Sequence, residues 1–167
     1  MNTPPAPWAW WAVAFALGAP ALVIGWVPLQ TTPDTWPAWK AALALQPPLG
    51  WSQPPWRWWT CAWLHGSAPH QLGNLLALLA IAALGQQARL PGRAALAWVL
   101  AWPVTHLALL GHALPATYVG ASGVLHAGVA ILGTYHLLNR HTGARPRLGP
   151  LLLGGLALKV FMENPWQ

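Results

Sequence analysis

Two short segments of the chain carry polar residues whose types and spacing could support chemistry. In the first, Ser122 stands between Gly120 and Gly123 in a GxSG motif, at the predicted start of an apolar helix. The start of a helix offers unpaired backbone N–H groups and the positive end of the helix dipole, both of which favour an anion. The glycines let a substrate backbone or a neighbouring helix come close, so helix packing is the alternative interpretation of the motif.

The second segment places three polar side chains at the entry to another apolar run. His70 and Asn74 are four residues apart, so they share one face of a helix, and His65 precedes His70 by five residues. Both His70 and Asn74 can donate side-chain hydrogen bonds in a largely apolar setting. A structural alternative exists here too, because polar residues in membrane helices often serve only to tie helices together.

The composition identifies the class of protein that must position these residues. Only 6% of the 167 residues are charged, whereas 56% are hydrophobic and 14 are Trp. Soluble domains contain about 25% charged residues. Residues 1–33, 58–88 and 94–139 carry no Asp, Glu, Lys or Arg, and each run exceeds the roughly 20 apolar residues that cross a bilayer. The sequence therefore predicts a polytopic protein of the lipid bilayer and excludes a soluble globular one.

The same composition excludes several kinds of site. Asp34 and Glu163 are the only acidic residues and Cys61 is the only cysteine, so a paired-carboxylate site, a carboxylate-rich metal cage and an internal disulfide are not expected. We expect no metal and no cofactor. The formal charge of +6 comes from basic residues scattered between apolar runs, which is typical of membrane topology signals and does not indicate nucleic-acid binding.

Apolar runs bounded by Pro, Gly and Arg predict five membrane-spanning helices in a single domain of residues 1–167. Five arginines fall in the loops after the second and fourth spans, which by the positive-inside rule makes that side, and the N-terminus, cytoplasmic in a cell (inner) membrane. The external loop 30–67 alternates Pro with Trp and is expected to lie in the membrane interface. The predicted spans are residues 8–29, 68–88, 94–110, 119–138 and 148–163.

In combination, these motifs resemble those of the rhomboid intramembrane serine proteases. That family has a Trp-Arg pair in the first loop, an HxxxxHxxxN pattern entering the second span and GxSG opening the fourth. The order, the loop assignment and the outward placement agree over residues 8–163. The resemblance implies an all-α, rhomboid-like membrane helical bundle with five of an expected six transmembrane helices. The matching residues are Trp56 and Arg57, then His65, His70 and Asn74, then Gly120, Ser122 and Gly123.

The resemblance also implies a role for each matching residue. Ser122 would be the nucleophile that attacks a peptide carbonyl near the outer membrane face. Its backbone N–H and the side chains of His70 and Asn74 would form the oxyanion hole. The implied substrates are proteins with a transmembrane segment. The other matched residues would line the active site (His65, Gly120, Gly123) or have a structural role in the loop (Trp56, Arg57).

One substitution indicates a narrower branch of the family. His126, four residues after Ser122, stands where most rhomboids carry Tyr, and it resembles the rhombosortases in this position and would line the site. Lys159 and Glu163 look like that branch as well and are expected to neutralise each other. Rhombosortases are thought to process proteins with a short, glycine-containing C-terminal anchor, so C-terminally anchored proteins are the expected substrates. A general rhomboid protease is the alternative.

The base that should take the serine proton is missing from the pattern. In the family it is a His in a sixth span, and the sequence reaches Gln167 without such a span. We prefer the interpretation that the chain is C-terminally incomplete. The alternatives are a catalytically inactive rhomboid-like protein that binds transmembrane helices, or replacement of the base by His126. The leading hypothesis is an intramembrane serine endopeptidase of rhombosortase type.

Overall fold

The chain forms an all-helical bundle. The computed structural model describes residues 4–24, 36–110, 117–139 and 145–163, and within these ranges it contains helices and isolated backbone bridges but no strand. The predicted fold class, an all-α membrane helical bundle, is confirmed. Its α-helices are α1 (Pro7–Ile24), α2 (Ala38–Leu43), α3 (Arg57–Thr60), α4 (Ala68–Gln87), α5 (Gly92–Leu107), α6 (Ser122–Leu138) and α7 (Leu148–Met162).

The long helices, α1 and α4 to α7, occupy the predicted spans with small shifts at their ends. The helix α5 begins two residues earlier than predicted, at Gly92, and ends at Leu107. The helix α6 begins at Ser122 rather than at residue 119, because the preceding segment bonds to the loop instead of to the helix. Residues 25–29 of the first predicted span lie outside the described ranges.

Helix length and surface character agree with a membrane environment. By length and composition α1 and α4 can each cross a bilayer, while α6 and α7 are apolar but shorter. Large apolar side chains are exposed around the bundle, which suits contact with lipid tails and is rare on a monomeric protein in water. Examples from four helices are Phe15, Val23, Leu79, Val104 and Phe161.

Two stacked tryptophans join four of the helices. The rings of Trp10 in α1 and Trp98 in α5 lie 4.2 Å apart. The Trp10 indole donates to the Ile81 carbonyl of α4 at 3.1 Å, and the Trp98 indole donates to the Val124 carbonyl of α6 at 2.8 Å. Glycines lie directly beneath these rings in α4 and α6. Apolar surface gains little by leaving lipid, so such close packing and interhelical hydrogen bonds stabilise the bundle.

The segment between α1 and α4 is a folded loop of short helical turns, consistent with its many prolines. Arg57 ties it together, since its Nε donates to the Ala42 carbonyl at 3.1 Å and its Nη1 donates to Gln46 Oε1 at 3.0 Å. The Trp56 indole also donates to the Ala42 carbonyl, at 3.3 Å. Thr60 Oγ1 donates to the Leu43 carbonyl at 2.7 Å. The hydrogen bonds of Trp56 and Arg57 thus join the two halves of this loop.

Candidate active site

The segment that leads into Ser122 is held by the loop. Tyr118 pairs with Leu45 through two backbone hydrogen bonds, of 2.8 and 3.2 Å, and the Gly120 N–H donates to the Cys61 carbonyl at 3.0 Å. Gly120 has a φ of 133°, a conformation open to glycine and strained for other residues. Ser122 is therefore the first residue of α6, and it is partly buried. At this position the backbone N–H groups have no acceptor within the helix.

His70 lies against this turn. A Cβ added at Gly120 would stand 3.0 Å from His70 Cε1 and 3.5 Å from Nε2. His70 occupies the first turn of α4, where its backbone N–H donates to the Ser67 hydroxyl at 3.3 Å, an ordinary N-terminal cap. The His70 side chain is exposed. The structure thus brings His70 of the HxxxxHxxxN motif against Gly120 of the GxSG motif at one end of the bundle. Gly120 precedes Ser122 by two residues.

Asn74 and His65 carry buried polar atoms beside this position. Asn74 Nδ2 and both ring nitrogens of His65 have no hydrogen-bond partner among the described residues. The His65 and His70 rings pack edge to face, with centroids 5.3 Å apart. Burial lowers the pKa of His65 to about 4, with repulsion from His70 in the same direction, so its ring is neutral at neutral pH. An unpaired, buried N–H donor is what an oxyanion hole needs before substrate arrives.

Gly123 and His126 face other helices of the bundle. A Cβ at Gly123 would lie 3.3 Å from Thr105 Cβ, so the absent side chain admits a close approach of α5. His126 is one turn beyond Ser122 in α6. Lys159 at the end of α7 and Glu163 just after it form the ion pair that their spacing predicted.

Two residues at the site were missed or undervalued by sequence reasoning. Tyr118 pairs with Leu45 through its backbone, and its ring lies 5.6 Å from the ring of His106. His106, which no sequence motif singles out, is fully buried, with Nδ1 2.7 Å from the Trp58 carbonyl. No local pattern indicates the contacts of Tyr118 with Leu45 and His106, because they join segments that are distant in sequence.

In this all-helical bundle the turn that precedes Ser122, at the start of α6, lies against His70 of α4. The family model described as Rhomboid domain matches residues 52–163, from just before α3 to the end of α7. The chain belongs to this family, and it is therefore a membrane protein of an intramembrane-protease type. No curated protein and no solved structure gives a significant match.

Proposed function

We propose that the chain is an intramembrane serine endopeptidase whose nucleophile is Ser122. The observation that carries this proposal is the contact of His70 with the Gly120 turn, because Nε2 of its ring lies beside the residues that lead into Ser122. The unpaired Nδ2 of Asn74, one turn further along α4, supports it. Hydrogen-bond donors for an oxyanion, next to a serine at the start of a helix, are what acyl transfer needs. Helix packing alone would not require them.

In the proposed reaction the Ser122 oxygen forms a bond to the substrate carbonyl carbon. The carbonyl oxygen becomes an oxyanion, which accepts hydrogen bonds from the Ser122 backbone N–H, His70 and Asn74. Each such donor contributes about 3–4 kcal/mol to the transition state in serine proteases where it has been measured. Collapse of the intermediate breaks the C–N bond and releases the amine half of the substrate, and water then hydrolyses the acyl-enzyme. The base that takes the Ser122 proton and returns it to the leaving amine nitrogen would, as the family resemblance implies, be a histidine of a sixth span.

The substrate class within this proposal is that of the rhombosortases, namely proteins held by a C-terminal membrane anchor. His126, in place of the tyrosine of most rhomboids, supports this branch. The proposed orientation is a multi-pass protein of the cell (inner) membrane, with a cytoplasmic N-terminus and Ser122 near the outer face. Arg145 Nη1, in the segment before α7, donates to Gln87 Oε1 at the end of α4, at 2.9 Å. Arginines follow α4 and precede α7, so this bond lies at the end of the bundle that carries the arginines and is opposite Ser122.

The test of this function is active-site labelling, in lipid bilayers, of protein that includes the span implied to carry the base. A fluorophosphonate probe should add to the native protein once, and peptide mapping by mass spectrometry should find the adduct on Ser122. Protein unfolded in denaturant before the probe is added should remain unlabelled, because a free serine hydroxyl is a weak nucleophile. Absence of a native adduct, with retained binding of a transmembrane peptide, would instead support the helix-binding alternative.

Gly120→Ala tests the turn that precedes the nucleophile. Alanine at a φ of 133° is strained, and its Cβ would stand 3.0 Å from the His70 ring. We expect the free energy of unfolding to fall by about 1–3 kcal/mol and the labelling rate of the folded protein to fall about tenfold or more. Gly66→Ala is the matched control, since nothing lies within 4 Å of its added Cβ. Equal labelling rates for the two variants would contradict the role given to this turn.

A further inference from the structure

One face of α5 carries three aromatic side chains, each with a ring nitrogen on a backbone carbonyl elsewhere in the protein. Trp98, Trp102 and His106 are spaced by four residues, so they share a face of the helix, and all three are buried. The Trp98 indole donates to the Val124 carbonyl of α6 at 2.8 Å. The Trp102 indole donates to the Trp59 carbonyl of α3 at 3.2 Å. These three residues are called the α5 ladder below.

His106 is the member of the α5 ladder that contacts both the loop and the segment before Ser122. Its Nδ1 lies 2.7 Å from the Trp58 carbonyl, and because a carbonyl oxygen only accepts, Nδ1 is the nitrogen that carries the proton. Cys61 Sγ packs against the same ring, 3.6 Å from Nδ1 and 3.7 Å from Nε2. On the other side, the centroid of the Tyr118 ring is 5.6 Å from that of His106.

The contact with Cys61 leads directly to the turn before the nucleophile. The Cys61 carbonyl accepts the N–H of Gly120 at 3.0 Å, and Gly120 precedes Ser122 by two residues. Cys61 is itself fully buried and follows directly after α3. A shift of Cys61 would therefore move its carbonyl, the Gly120 turn and the start of α6. A displacement of about 1 Å at a reacting group can cost about 10²-fold in rate, so this support matters for catalysis.

We propose that His106 is a positioning residue for Ser122, which acts by holding residues 58–61 of the loop against α5. The proposal rests on the function proposed above. Trp102 holds the same loop segment, and Trp98 holds α6 at Val124, two residues after Ser122. One helix thus fixes both the loop that supports the Gly120 turn and the helix that begins with the nucleophile.

Core packing alone would not call for a histidine at this place. A buried imidazole loses its hydration, and an apolar side chain would avoid that cost. The hydrogen bond to the Trp58 carbonyl offsets the cost and also fixes the direction of the ring. A bond that serves only stability and a bond that positions the nucleophile differ in what happens to the rate per folded molecule when the bond is removed.

His106→Leu and His106→Asn test the proposal as a pair. Leucine lacks a donor, whereas asparagine Nδ2 stands where histidine has Nδ1 and can keep the bond to the Trp58 carbonyl. Per folded molecule, we expect fluorophosphonate labelling of Ser122 to fall about tenfold in His106→Leu and to stay within about threefold of wild type in His106→Asn. Hydrogen exchange of the Gly120 N–H, followed by mass spectrometry, should be faster in His106→Leu and near the wild-type rate in His106→Asn.

Gln71→Leu is the matched control, because it also removes a buried side-chain donor to a backbone carbonyl, that of Ala21 at 2.9 Å. It should lower the melting temperature and leave the labelling rate per folded molecule and the exchange of the Gly120 N–H unchanged. Trp102→Phe keeps an aromatic ring and loses the N–H that binds the Trp59 carbonyl. We expect about fivefold slower labelling in this variant, which tests the α5 ladder even if His106→Leu does not fold.

The outcomes separate this inference from the proposed function. If native wild-type protein carries no adduct on Ser122, the proposed function fails, and the exchange of the Gly120 N–H then decides the role of His106. Equal exchange in wild type and His106→Leu overturns that role. If the wild type is labelled, labelling of His106→Leu within about twofold of its rate overturns the role while the function stands. Equal slowing in His106→Asn or in Gln71→Leu would overturn it as well, since the hydrogen bond to the loop would not be the cause.

Discussion

Ser122→Ala is expected to abolish fluorophosphonate labelling and to reduce cleavage of an anchored reporter by at least about 10⁴-fold. The reason is that the hydroxyl oxygen is the atom that bonds to the substrate, and no other group can replace it. The fold should tolerate the change, because Ser122 is only partly buried and alanine suits the first turn of α6. Cleavage assays in bilayers and melting curves of the same preparations measure the two effects.

Ser52→Ala is the matched control for this prediction. Ser52 is an exposed loop serine whose Oγ donates to the Leu49 carbonyl at 2.6 Å, so its loss costs a local hydrogen bond and leaves the site intact. We expect labelling and cleavage at wild-type rates in this variant. Cleavage that persists in Ser122→Ala would remove Ser122 from the mechanism, whatever the control shows.

Asn74→Leu is expected to lower kcat by about 10²–10³-fold while the melting temperature stays the same or rises. The Nδ2 atom of Asn74 is buried and has no hydrogen-bond partner among the described residues, so the resting structure loses no bond when it is replaced. Leucine has the same number and branching of side-chain heavy atoms as asparagine, and it has no polar group to desolvate. The transition state, in contrast, loses a donor to the oxyanion. A replacement that lowers kcat without lowering the melting temperature indicates a residue that serves the reaction and does not stabilise the fold.

Gln71→Leu on the same helix should show the reverse pattern. Gln71 is buried, and its Nε2 donates to the Ala21 carbonyl of α1 at 2.9 Å, so its replacement breaks a hydrogen bond between helices. We expect a lower melting temperature and an unchanged kcat per folded molecule. If Asn74→Leu instead behaves like Gln71→Leu, Asn74 is a structural residue that ties helices together, and the oxyanion hole loses one of its donors.

Local features of the sequence were enough to predict the helices and the pairing of residues within each helix. The four-residue spacing of His70 and Asn74 puts both on one face of α4, and that of Lys159 and Glu163 forms the ion pair on α7. Hydropathy and helical periodicity act over short stretches of chain, so they can be read without knowledge of the fold. The order of the motifs, matched to a family, added the expectation that His70 and Ser122 meet.

The start of α6 was predicted three residues too early for a reason that lies elsewhere in the chain. Apolar residues continue back to 119, yet Gly120 donates its N–H to the Cys61 carbonyl and Tyr118 pairs with Leu45. These bonds come from a loop more than 50 residues upstream in sequence, so no local pattern records them. The same loop fixes the turn after which α6 begins with Ser122.

By itself, the sequence determined a membrane-embedded helical bundle and the identity of its polar residues, because burial in lipid and helical spacing follow from side-chain type and order. Only the tertiary structure decided which of these residues touch. It placed His70 against Gly120, set Trp98 over Gly128, and put the Tyr118 ring beside the buried His106. Such contacts depend on how glycines let helices approach and on which distant carbonyls accept each N–H, and these are properties of the packed bundle.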